Sequence, residues 1–148
     1  MAKFVYEMQN ILDLKEQMQV QAEQAFGAAV KVVSEKEEDL LNLRKKKLDY
    51  EAKYRKASNG TVNIRDLNDY NNAITNINSL IKAKLVELDV ANKNLELARE
   101  KLDNAMKEKK TYENLKESAF EEFKALLAKE ESKEIDELVS YTYSTKSK

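Results

Sequence analysis

The chain has 148 residues, 26 of them basic and 27 acidic, for a formal net charge of −1. It contains no His, Cys, Trp or Pro and only two glycines. Without Cys or His, disulfides, haem and iron–sulfur ligation, the usual zinc ligand sets and Cys- or His-centred catalysis are excluded.

A heptad seam runs through the first stretch, and the pattern predicts a helix from about residue 3 to 57. Its apolar members read as Phe4, Met8, Ile11, Met18, Ala22, Ala25, Ala29, Val32, Leu40, Leu43, Tyr50, Tyr54 and Ala57. Lys15, Lys36 and Lys47 interrupt it. Gly27, among Ala22, Ala25, Ala28 and Ala29, reads as a thin section where a partner helix packs close.

A turn is expected over about 58–63. Gly60 takes the left-handed conformation that ends a helix, and Asn63 caps the next one. Asp66 serves as capping-box partner, with Val62 and Leu67 as a hydrophobic staple. The loop is too short for strands, so it joins two helices as a tight αα-turn.

Helix two is predicted over about 64–139. Its seam steps by three and four through Ile74, Ile77, Ile81, Lys84, Leu88, Ala91, Leu95, Ala98, Leu102, Ala105, Lys109, Tyr112, Lys116, Ala119, Phe123 and Leu126. The tail over 140–148, rich in hydroxyl and β-branched residues, is expected to fray. The expected fold is therefore all-α: a single antiparallel coiled-coil hairpin whose second helix outlasts the first. A swapped dimer is the alternative that the pattern leaves open.

Folding about Gly60 sets opposite each other residues whose numbers sum to roughly 121, giving a paired rod ~80 Å long. Beyond about residue 118 helix two then overhangs alone, yet it carries Phe120, Phe123, Leu126, Leu127, Ile135, Leu138 and Val139. An unpaired apolar helix is a docking surface, unless the helix bends back or two molecules pair there. Near the turn, Tyr50, Tyr54 and Tyr70 suit core packing and partner contact equally.

The charge runs give no site. Glu35-Lys36-Glu37-Glu38-Asp39 and Glu121-Glu122 lie among lysines on solvated faces, and a general acid or base needs a partly desolvated pocket. Lys45-Lys46-Lys47 reads as a solvated face too. Gly27 and Gly60 are too far apart to build a phosphate-cradling loop. No enzymatic activity, cofactor or metal is expected. Interspersed charge argues against nucleic acid as partner. No apolar run approaches the length of a membrane span, and the N-terminus lacks the order of a secretory signal. The expected location is the cytoplasm.

Four segments, taken in order, resemble the FliJ family of the bacterial flagellar type III export apparatus. They are Phe4-x-Tyr6-x-Met8-Gln9-x-Ile11-Leu12-x-Leu14-Lys15, then Asp49-Tyr50-Glu51-Ala52-Lys53-Tyr54, then Ile64-Arg65-Asp66-Leu67-Asn68-Asp69-Tyr70, and finally Lys133-Glu134-Ile135-Asp136-Glu137-Leu138. Together they span essentially the whole chain. The resemblance implies a non-enzymatic stalk or adaptor that engages the hexameric export ATPase FliI and stimulates it. It also implies contact with the export gate FlhA and handling of export chaperones, with peripheral association at the inner membrane.

Carried onto this chain, the ATPase-facing residues are Phe4, Met8, Phe120, Phe123, Leu126, Leu127, Ile135 and Leu138. The gate-facing residues are Tyr50, Tyr54, Tyr70, Ile74, Ile77 and Ile81. The family has Ala and His where this chain has Ile77 and Ile81, so an apolar contact replaces a polar one there. An elongated monomer is expected. The alternatives are the equivalent stalk of a virulence secretion system and a purely structural or holdase coiled coil.

Overall fold

The computed structural model describes residues 2–146. Two helices account for most of them, α1 (Gln9–Ala57) and α2 (Ile64–Lys146), and the described residues contain no strand. The helices pack antiparallel as a hairpin with α2 the longer. Contacts group the chain into two compact units, each built from both helices. The terminal unit comprises Met1–Val20 and Asp103–Lys148; the turn unit comprises Gln21–Leu102.

Local chemistry accounts for the turn. Gly60 has φ 97°, the left-handed region that only glycine enters without strain. The last carbonyls of α1 are satisfied by the Ser58 N–H donating to Tyr54 (3.0 Å) and the Ser58 hydroxyl donating to Arg55 (2.8 Å). Arg55 and Lys56 also complement the helix dipole there. Asn63 caps α2, its Oδ1 accepting from the Arg65 N–H at 3.0 Å. Asp66 makes no reciprocal bond, so this is a cap without the expected box among the described residues.

On α2 the seam follows the expected positions from Ile74 to Phe123, with Ile77, Ala91 and Ala105 buried. At its end Leu127 is half-buried and Leu126 is 62% exposed, so the last seam member is Leu127 rather than Leu126.

On α1 the seam differs from expectation. Leu12, Val33 and Leu40 are buried and Phe26 half-buried, while Ile11, Met18, Ala25 and Val32 face outward. Both readings share Lys15, Ala22, Ala29 and Lys36 and differ by one residue between them. The observed phase continues without a skip through Leu40, Leu43, Lys47 and Tyr50, whereas the other needs an extra residue after Val32 to rejoin it. Uninterrupted packing prevails, at the cost of placing Gln19 where Met18 was expected.

Three seam lysines, Lys15, Lys36 and Lys84, have partners across the interface. Their stems lie along the interface while the ammonium groups reach carboxylates. Lys15 meets Glu108 at 2.9 Å and Lys36 meets Glu87 at 3.2 Å. Lys84 meets Asp39 at 3.4 Å and Glu87 at 2.9 Å. These cross-helix pairs match the register set by folding about Gly60.

Three further expectations are corrected. A Cβ built on Gly27 meets nothing within 4 Å, so no close helix approach explains this glycine. Helix α1 begins at Gln9 rather than about residue 3. Phe4 and Tyr6 alternate at a period of two, and an extended segment brings both onto α2 where a helix would splay them apart. Finally, α2 extends to Lys146, past the expected helix end at about 139. Thr142 and Thr145 hydroxyls donate to the carbonyls of Leu138 and Tyr141, side-chain bonds compatible with helix. Ser147 and Lys148, the end of the expected tail, lie outside the described residues.

Candidate functional site

In the terminal unit, the segment preceding α1 lies along α2 as a strap with two aromatic anchors. The Phe4 ring meets Phe120 edge-on at 5.1 Å and Phe123 at 5.5 Å. Tyr6 is buried, and its hydroxyl donates to the Tyr112 carbonyl at 3.2 Å. Lys124 sits over the Phe120 ring at 5.0 Å, and Lys15 lies 6.0 Å from the Tyr112 ring. Beside Phe4 a shallow cleft is lined by Met8, Ala119, Phe123 and Leu126.

This geometry sorts the ATPase-facing candidates. Phe4, Phe120 and Phe123 form one aromatic cluster, so the phenylalanines of α2 are partly covered by the chain's own N-terminus. Met8 borders them, Leu127 is half-buried and Leu126 is open. Ile135 and Leu138, with Val139, are exposed on α2 and packed by nothing among the described residues of α1. Sequence reasoning missed Tyr6 and Leu12 as core. The alternation Phe4-x-Tyr6 was the available signal, a period of two ahead of a helix.

In the turn unit, Tyr50 and Tyr70 face each other across the hairpin at 6.3 Å between ring centroids. Lys53 lies 5.2 Å over the Tyr50 ring, and its hydrogen bond to the Asp49 carboxylate, reinforced by that group's charge, raises the Lys53 pKa. Tyr54 is more open than either of these rings. Ile74 and Ile81 are half-buried in the seam. Ile77 is only 7% exposed, its side chain filling the helix interface as its seam position leads one to expect. Tyr50 and Tyr70 meet with their rings tilted at 48°, and Tyr54 is the most exposed of the three.

The densest charge cluster joins the helices in this unit. Glu87 accepts from Lys84 and Lys36, and both bonds lower its pKa. The Lys84 pKa is raised, first by its bond to Glu87 and then by Asp39. All four groups are solvated, so the cluster sets register more than it adds stability. Among the described residues no group of three or more acidic side chains is arranged to hold a metal ion. Among the described residues no helix is long and apolar enough to cross a membrane.

The turn unit thus carries a pair of facing tyrosines, and the terminal unit an open apolar helix face. The model of the family described as flagellar FliJ protein matches residues 4–148, and the chain belongs to that family. Membership places it in the flagellar export apparatus as a stalk-type, structural component. Among curated proteins and solved structures no match was found.

Proposed function

We propose that this protein is the non-enzymatic adaptor between the hexameric export ATPase FliI and the membrane export gate FlhA, and that it stimulates the ATPase and takes part in handling export chaperones. The terminal unit engages the ATPase and the turn unit the gate. One observation carries the reading: past Leu127, α2 continues as helix with Ile135, Leu138 and Val139 exposed and uncovered by the chain's own described residues. A helix that presents aliphatic side chains to water over several turns is explained by a partner. The family match favours a flagellar over a virulence-type system. On this reading the protein works in the cytoplasm, as a monomer, and meets the inner membrane only through the gate.

The test is the rate of ATP hydrolysis by the cognate export ATPase, alone, with this protein, and with an Ile135→Ser/Leu138→Ser variant. Stimulation by the wild type that is lost in the variant, with helicity unchanged, supports the adaptor role. Absence of stimulation by the intact chain sinks the ATPase assignment and leaves the structural coiled coil as the reading.

A further inference from the structure

The exposed end of α2 carries chemical information about what covers it. On a helix of 3.6 residues per turn, Ile135, Leu138, Val139 and Thr142 fall on one stripe, and Leu138, Val139 and Thr142 also line a shallow surface cleft with Tyr143. The stripe's border is acidic. Glu131 lies on it one turn before Ile135, Glu134 flanks the Leu138 side and Asp136 flanks the Val139 side. Of the lysines in this stretch, Lys133 falls on the opposite face and Lys129 lies beside Asp136 at the outer edge of the border.

Further back on α2 some carboxylates are matched by neighbours, Asp89 with Lys93, Asp103 with Lys107 and Glu121 with Lys124, while Glu100, Glu117 and Glu122 have no ion pair among the described residues. Glu131, Glu134 and Asp136 have no ion pair among the described residues. Pressing them against a neutral apolar surface would strip water from carboxylates without compensation.

We propose that this stripe docks an apolar surface bordered by Lys or Arg on a partner protein. The proposal rests on the reading that the terminal unit engages the export ATPase, and adds the chemistry which that ATPase's docking surface must present. Charge decides against two other occupants. A second copy laid parallel along the same stripe would set carboxylates against carboxylates, and an anionic bilayer would repel the same border. A basic border instead neutralises the carboxylates as the aliphatic side chains are covered, and speeds the encounter.

The experiment measures binding kinetics between the full-length protein and the cognate export ATPase at low and at physiological salt. Two variants are compared with the wild type: Glu131→Gln/Glu134→Gln/Asp136→Asn, which keeps shape and removes charge, and Ile135→Ser/Leu138→Ser, which keeps charge and removes the apolar stripe. Circular dichroism verifies that both retain helix. The charge-neutral variant is expected to associate about tenfold more slowly at low salt and to lose most of the salt dependence. The apolar variant is expected to lose binding at every salt concentration. Loss of binding in the apolar variant, with wild-type kinetics and salt response in the charge-neutral one, overturns the basic border while the docking reading stands. Wild-type binding by both variants overturns the docking reading and the inference with it. Self-association of the wild type that the apolar variant abolishes assigns the stripe to a second copy, and also overturns the proposal.

Discussion

At Gly27 the backbone is helical, the site is exposed, and an added methyl group meets nothing within 4 Å. Glycine there carries only its conformational cost, so Gly27→Ala is expected to stabilise the chain by about 1 kcal/mol. The check is a higher urea midpoint with an unchanged m-value. Glu87 and Lys84 bear on pH in opposite ways. The lowered pKa of Glu87 means that its contribution is complete above the ordinary glutamate range and lost as pH falls through the lowered value. The raised pKa of Lys84 means that its contribution is complete below the ordinary lysine range and lost as pH rises through the raised value. Both are therefore present at neutral pH. The difference in melting temperature between wild type and Glu87→Gln is expected to shrink as pH is lowered from about 7 to about 2, where glutamate protonates.

At the scale of the element, the N-terminal strap is separable from the helix that follows it. Phe4 precedes the first residue of α1 and is held by Phe120 and Phe123. Phe4→Ala is expected to cost about 1–2 kcal/mol, the loss of a half-buried ring, with far-UV circular dichroism unchanged. Faster proteolysis within residues 2–8 marks release of the strap. Phe123→Glu is predicted to release the strap as well, since Phe123 is shared between the strap and the open end of α2. A loss of ATPase stimulation in that variant would thus have two sources, which is why Ile135 and Leu138 test docking more cleanly. Near the turn, Tyr54 stands outside the Tyr50–Tyr70 pair. Tyr54→Ala is expected to weaken binding to the export gate protein with little effect on stability, whereas Tyr70→Ala lowers both. Equal stability losses in the two variants would assign Tyr54 to packing.

For the molecule as a whole, one helix pairing serves two kinds of surface. Lysines at seam positions keep the hairpin in register through Glu108, Glu87 and Asp39, while α2 beyond Leu127 is left without a covering helix. The adaptor reading predicts a single-chain mass in solution by light scattering; a stable dimer that survives dilution would favour the swapped arrangement.

The amino-acid sequence alone determined the hairpin, the turn at Gly60, the Asn63 cap and the α2 seam up to Phe123. Each rests on a local or periodic property: φ accessible to glycine, a side-chain cap, and an uninterrupted alternation of three and four. The apolar residues beyond Leu127 were legible for the same reason. What only the tertiary structure decided is the phase of α1 and the strap. Along α1 two apolar stripes one residue apart fit the sequence comparably well, and the choice depends on continuity of packing against α2. The strap depends on contacts over more than a hundred residues, Phe4 with Phe120 and Tyr6 with Tyr112. No local propensity encodes a contact of that range.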